Sequence, residues 1–341
     1  MRAAAALKNQ MNDFSSRRTA LKRLLALAAS AIASVATAQV PVSAFRPIRP
    51  VRLISPLLAG GATDAIVRPI AARLSELWGQ PVLVENKPGG GTIIGTQAVA
   101  TAPADGHTFG VVISAFTINP SLHSDLPYDT FKDITPITQI GNVTGVLVAH
   151  PSFPPNSVAE LISLAKAKPG SISYASLGIG TAAHIISELL KVRKGIDMVH
   201  IPYSGSSAAY RELLPGRVPI GFVVLESALP HIQAGKLKVL AITDIKRNKL
   251  HPQYPTIEET VPGLGYDSVF GFIGPRGMPP GLLTAMNADI VRVLGEAPTH
   301  TQLERQSMSL VASSPAEFSA VIRREVEHWK QVVKESGANV S

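Results

Sequence analysis

The sequence predicts a two-lobed α/β protein, each lobe a mainly parallel sheet flanked by helices. Three observations carry this. Short apolar runs alternate with segments of helical spacing along most of the chain, the signature of strands joined by crossover helices. Many of the strands end in small, polar or glycine-bearing turns. A length of 341 residues, 45% hydrophobic and 16% charged, suits two lobes of ordinary size.

After a proline-rich lead (Pro41, Pro47, Pro50), VRLIS reads as a strand feeding the turn PLLAGGATD. The helix that follows aligns Ile66, Ile70, Leu74 and Leu77 on one face and stops at Gly79; Pro69 inside it predicts a kink or a late start. PVLVEN is a second strand, KPGGGTIIGTQAVATA a glycine turn into a second helix, and FGVVIS a third strand. The pattern resumes with GVLVAH and a helix opened by a Ser157/Glu160 capping box and followed by Gly170. SISYAS, GIGTAAHIISELLKVRKG, DMVHIPY, SSAAYRELLPG, IGFVVL, SALPHIQAGK and KVLAITD continue the alternation. SVFGFIGP returns the chain to the first lobe, a helix follows around 280–294, and the last helix opens at Ser314-Pro315 with Glu317 as its third residue. Phe318, Val321, Ile322, Val326, Trp329, Val332 and Val333 supply its apolar face. The expected boundaries are a leader over 1–38, a first lobe over 46–146 plus 269–341, and a second lobe over 147–268.

The net charge of +8 is concentrated at the start. Arg2, Lys8, Arg17, Arg18, Lys22 and Arg23 face only Asp13 within residues 1–38, leaving +3 for the rest. With 5% aromatic residues and no dense basic block, nucleic acid is not an expected partner. The leader reads as a signal peptide: a basic stretch, about 13 apolar residues from Leu24 to Ala36, then Ala36-Thr37-Ala38 before Gln39. The run is short of the roughly 20 residues that span a bilayer. Ser16 to Lys22 (SRRTALK) has the form of a twin-arginine export motif, with Ala20 where Phe is commoner. A mature protein soluble in the periplasm, cleaved near Ala38, is expected.

Catalytic and cofactor motifs fail one by one. Cysteine is absent. The nine histidines form no H-x-x-x-H or H-E-x-x-H pair, so no metal is expected. No G-x-S-x-G elbow occurs. PGGGTIIGTQ lacks the Gly-Lys-Ser/Thr of a phosphate loop and reads as a tight turn with close helix–strand packing. Gly178, Gly180 and Ala183 fit a dinucleotide fingerprint, with Asp197 19 residues past Gly178. That acid precedes its strand instead of ending it, so no nicotinamide or other cofactor is expected. What remains are five turns: LLAGGATD, ISAFTINP, SLGIGTAAH, IPYSGSS and VVLESALP. At strand C-termini before helices, they describe an interlobe cleft lined by N–H groups and hydroxyls, suited to a small anion.

These residues, with RPVRLISPLLAGGATDAIVRPIAARLSELWGQPVLVENKPGGGTIIG, INPSLHSDLPYDTFKDITPIT, YASLGIGTAAH, VHIPYSGSSAA and FGFIGPRGMP, resemble the Bug-type receptors of tripartite tricarboxylate transporters, from about Arg46 to the C-terminus. The resemblance implies a Venus-flytrap fold closing on one small carboxylate, a monomer, no catalysis, and delivery to a membrane permease of one large and one small subunit. It also implies the site. Gly60, Gly61, Thr63 and Asp64, with Ala59, match the carboxylate-holding loop; Ser176, Gly180, Thr181 and His184 match that of the opposite lobe, and Tyr203-Ser204-Gly205 the third. Hydroxyls of Ser114, Thr117 and Thr181 are expected to orient the ligand beside Ala115. Asp64 either caps its own helix or faces a ligand's amino or hydroxyl group. Five residues depart from the family pattern: Ile179 stands for a usual polar residue, Ser204 for Lys, Pro219 and Val223 for acids and Glu226 for Pro. An apolar far wall at Val223-Val224 favours an aliphatic or aromatic carboxylate; Glu226 is either a solvated helix-start acid or a reader of an amino group. An exported hydrolase using His184 and a cleft serine, and a ligand-presenting receptor for a sensor kinase, are the competing classes.

Overall fold

A computed structural model describes residues 45–338. The leader expected over 1–38, with its twin-arginine stretch and cleavage point, lies outside the described residues. Among those described, no helix is long and apolar enough to cross a membrane.

The chain runs β1 (Val51–Ser55), α1 (Ala62–Trp78), β2 (Val82–Asn86), a 3-10 turn (Gly90–Thr92), α2 (Ile93–Ala100), β3 (Thr108–Ile113), α3 (Ala115–Leu122) and β4 (Ile134–Val143). It continues through β5 (Gly145–Ala149), α4 (Val158–Ala167), β6 (Ser173–Ser176), α5 (Ala182–Lys194), β7 (Val199–Pro202), α6 (Ser206–Leu213), β8 (Ile220–Val224), α7 (Leu225–Gln233), β9 (Lys238–Ile242) and α8 (Ile257–Thr260). β10 (Val269–Pro275), α9 (Pro280–Gly295), α10 (Ala297–Arg305), β11 (Met308–Leu310) and α11 (Pro315–Ser336) complete it.

Two sheets result, ordered β11-β4-β10-β3-β1-β2 and β7-β6-β8-β5-β9. Four of six strands in the first and four of five in the second run one way. The reversed strands include β5 and β10, which follow the passages from one sheet to the other. Their reversal brings the two C-terminal edges together. β4 runs parallel to β1–β3 and passes through the single residue Thr144 into β5, whose first residue, Gly145, pairs with Val224 at the end of β8. Thr144 thus lies at the C-terminal edge of both sheets. Its carbonyl accepts from Leu225 N–H at 3.0 Å, and its hydroxyl donates to Asp244 Oδ2 at 2.8 Å, on the returning segment. Burial above all, with the nearby charge of Asp267, pushes the Asp244 carboxyl up to about 6 against the hydrogen bonds it receives.

Local signals explain most elements. Gly79 ends α1 in the left-handed region, its N–H returning to Ser75 O. Pro69 is accommodated inside α1, which starts well ahead of it at Ala62. Ser314 and Glu317 form the full capping box on α11. On α4 the exchange is split: Ser157 accepts from Glu160 N–H, but Glu160 returns to Asn156 N–H.

The last helix stitches the two lobes. Phe318, Ile322 and Val326 pack in a core with Ile54, Val112, Phe116 and Ile273 around the first sheet. One and two turns later Trp329 and Val332 lie in the core of the second sheet, with Leu147, Ile186 and Leu189. Ile118 of α3 joins that second core as well.

Candidate ligand-binding site

The turn after β1 is built from inside. Asp64, 4% exposed, accepts from Gly60 N–H at 2.8 Å and Arg68 Nε at 2.9 Å on Oδ2. Its Oδ1 accepts from Asn86 Nδ2 at 3.0 Å, and the same amide donates to Leu57 O at 2.9 Å. Burial alone raises such a carboxyl, but the bonds from Gly60, Asn86 and Arg68 outweigh it and hold Asp64 below its ordinary value. Asp64 therefore neither caps α1 nor points a free oxygen away from the turn; it fixes the path of residues 57–60. Gly60 takes φ +79°, which a side chain disfavours, and Gly61 precedes the helix with no side-chain cap. The N–H groups of Ala62, Thr63 and Asp64 are left without an intrahelical acceptor. Underneath, Gly95 lets α2 lie against Pro56: a Cβ there would stand 2.7 Å from Pro56 Cβ and 2.8 Å from its Cα.

The turn after β3 is shorter still. Ser114 is both the last residue after the strand and the N-cap of α3. Its buried hydroxyl meets Ser268 Oγ at 3.1 Å, on the segment returning to the first sheet. Thr117, 1% exposed, donates its hydroxyl to Ser114 O at 2.9 Å. Ala115 sits half-buried at the helix start.

In the second sheet, Ser176 is fully buried at the end of β6. Its Oγ accepts from Gly178 N–H at 3.2 Å and lies 2.6 Å from His200 Nε2. Thr181 caps α5, accepting from His184 N–H at 3.4 Å while donating to Gly178 O at 2.7 Å. Gly180 N–H donates to His184 Nδ1 at 3.3 Å. The next turn adjoins: Tyr203 N–H donates to Ser176 O, and Gly178 would meet Tyr203 O at 3.6 Å if it bore a Cβ. Ser204 is exposed and Gly205 starts α6 with no side-chain cap. After β8, Val224 likewise caps α7 with backbone alone. Glu226, in the first turn, forms no hydrogen bond or ion pair with another described residue, and burial pushes its carboxyl up.

Four of these five helix starts therefore lack a side-chain cap. The hydroxyls of Thr117 and Thr181 are engaged within their own turns and that of Ser114 with Ser268, so backbone N–H groups are the donors these helix starts share. No lysine or arginine occurs in the five turns. Val223 is buried in the second lobe's core, whereas Val224 is half-buried and Ile179 exposed. Sequence reasoning missed Asn86 and His200. Asn86 ends β2 beside Ser55 at the end of β1, so its place at a parallel strand's C-terminus was the available signal.

The profile of the tripartite tricarboxylate transporter family receptors matches residues 66–338. Protein BugT of Bordetella pertussis is 34% identical over 328 residues, covering 94% of this chain and 99% of that protein. A Pseudomonas sp. protein described as a UPF0065 protein in the tcbD-tcbE intergenic region is 31% identical, covering 94% and 96%. Among solved structures, R. palustris Rpa4515 with adipate superposes with a TM-score of 0.79 at 34% identity, covering 86% of this chain and 99% of that one. MatC from Rhodopseudomonas palustris with bound malate gives 0.75 at 28% identity, covering 84% and 99%. The periplasmic binding protein BugD gives 0.77 at 29% identity, covering 86% and 99%. The chain belongs to the tripartite tricarboxylate transporter receptor family, a family of solute-binding receptors with a two-lobed fold.

Proposed function

We propose that this receptor is exported, captures one small carboxylate between its lobes, and delivers it to a membrane permease of one large and one small subunit, acting as a monomer without turnover. The observation that carries the reading is the set of helix starts left without side-chain caps at the joined C-terminal edges. Each concentrates free N–H groups and roughly half a positive charge, enough to hold a carboxylate without a lysine. Gly61 to Asp64 offer donors from the first lobe; in the second, the uncapped starts of α6 at Gly205 and α7 at Val224 offer theirs, beside the α5 amides that the Thr181 cap leaves over. Ala115 and the Tyr203-Ser204 turn flank them.

Selectivity falls to the far wall. Ile179 and Val224 offer apolar surface, and the unpartnered Glu226 repels a second anionic group but accepts from a hydroxyl or amino group. An aliphatic or aromatic acid with at most one donor-bearing substituent fits better than a tricarboxylate. Adipate and malate, held by the related structures and each carrying a second carboxylate, are the acids to set against a monocarboxylate, because they test that repulsion directly. The contact of Ser176 with His200 has the distance of a nucleophile–base pair, but a fully buried hydroxyl cannot reach a substrate carbonyl. This favours binding over hydrolysis.

A thermal-shift screen of the mature chain from Gln39 tests the reading. A ligand at about 100 times its Kd adds close to 2.7 kcal/mol. We expect at least one mono- or dicarboxylate to raise Tm by about 5 °C or more, and citrate to do less. A screen in which phosphate or NAD shifts Tm while every carboxylate fails would overturn it.

A further inference from the structure

His200 reaches the second lobe's turn from β7, and no motif marks it. Its ring is sandwiched between Tyr174, at 4.9 Å and 20°, and His184, at 4.2 Å and 14°. Through Ser176 Oγ it supports Gly178 N–H, while His184 Nδ1 takes Gly180 N–H directly. The two imidazoles therefore hold alternate amides of the turn that opens α5. Because Gly180 donates to Nδ1, His184 carries its own hydrogen on Nε2, an assignment made from the hydrogen bond. A second proton has only Nδ1 to go to, the position at which Gly180 N–H points.

The surrounding charges are few. On α5, Glu188 accepts from Tyr174 OH at 2.7 Å and pairs with Lys191 at 2.9 Å, so the two charges offset one another. From α11, which packs on the same helix, His328 and Glu335 lie by Arg193 instead. Burial holds His184 below its ordinary value, and burial with the neighbouring His184 brings His200 down to about 4. Both rings are neutral at neutral pH.

We propose that the His184–His200 stack is a proton-linked positioning pair for the carboxylate-receiving turn: an arriving anion takes over Gly180 N–H, and the freed Nδ1 of His184 takes up a proton from solvent. The new imidazolium then faces the anion, and each stabilises the other. The inference rests on the carboxylate reading above. Its sign follows from linkage: a bound state that holds an extra proton binds more tightly as pH falls, and the acid raises the His184 pKa by the same free energy.

The test is an NMR titration of the imidazole and amide resonances, in the free protein and with saturating adipate or malate, for wild type, His184→Asn, His200→Ala and His200→Gln. In the free wild type, the Gly180 amide should titrate with the His184 midpoint. With acid bound, that midpoint should rise by about half a unit or more, equivalent to roughly threefold in affinity. His184→Asn keeps an acceptor for Gly180 but cannot titrate, so its Gly180 amide should stay flat and its affinity, corrected for the acid's own ionisation, should lose its pH dependence. His200→Ala should shift the Gly178 amide and weaken binding at least threefold, and His200→Gln, able to reach Ser176 Oγ, should restore it. A Gly180 amide indifferent to the His184 titration, a midpoint unmoved by bound acid, or wild-type binding by His200→Ala would each overturn the proposal. If neither acid binds, the carboxylate reading fails for those two acids, while the ligand-free Gly180 titration still decides the coupling.

Discussion

Asp64→Ala is expected to destabilise the receptor by about 2–4 kcal/mol and to weaken carboxylate binding at least a hundredfold. The carboxylate is 4% exposed and accepts from Gly60 N–H, Asn86 Nδ2 and Arg68. Its removal takes a charged acceptor from the exposed Gly60 and the half-buried Asn86, at about 1–2 kcal/mol per bond where water can replace it in part. The half-exposed Arg68 adds little. The binding loss follows because Gly60 is released from the left-handed conformation that aims the N–H groups of Ala62, Thr63 and Asp64. Asp64→Asn tests the cause: it can still accept from Asn86, but it sets an N–H₂ or a single oxygen against two donors, so the turn stays disturbed. Asn86→Ala removes one donor and should cost less than either. Chemical denaturation and calorimetric titration read the two effects. Because the folded pKa is depressed, the contribution of Asp64 is present above its unfolded value near 3.9 and fades as pH falls through the folded one. Asp64→Ala should therefore lose part of the wild type's acid sensitivity in that window. A variant of wild-type stability that merely altered ligand preference would show that Asp64 reads the ligand instead.

Trp329→Ala is expected to cost about 3–5 kcal/mol. The indole is fully buried, meets Tyr266 edge-on at 5.4 Å, and sits where α11 passes from the first core into the second. Truncation empties the centre of the second core and loosens the helix that joins it to Phe318, Ile322 and Val326. The midpoint of urea unfolding should fall with the slope nearly unchanged. A loss under about 1 kcal/mol would mean that the site collapses around the cavity and that α11 does not hold the two cores together.

Elements whose local pattern agrees with their tertiary role were legible: β1, β3, β5 and β8 as apolar runs, α1 and α11 by their spacing and caps. β4 was not. ITPITQIGNV carries Pro136, Gly141 and several polar residues, and it becomes a strand because β10 and β11 pair with it. Pro136 is tolerated beside an irregularity in the β10 pairing. α10, APTHTQLER, buries only Thr299 and Leu303, too little to leave a periodic signature. The turns were legible because glycines at strand ends are a local signal. Partners were not: Asn86 lies 22 residues from Asp64 and His200 lies 24 from Ser176, joined only by the parallel register of adjacent strands. Nor does composition reveal that the hydroxyls of Thr117 and Thr181 are spent on neighbouring carbonyls.

The most direct measurement is amide mapping by NMR on saturation with the acid that wins the thermal screen. Backbone N–H groups of residues 61–64 and of 178–183 should shift together and gain hydrogen-exchange protection, one set from each lobe. Shifts confined to a single lobe, or centred away from both turns, would contradict a carboxylate held between helix starts of the two lobes.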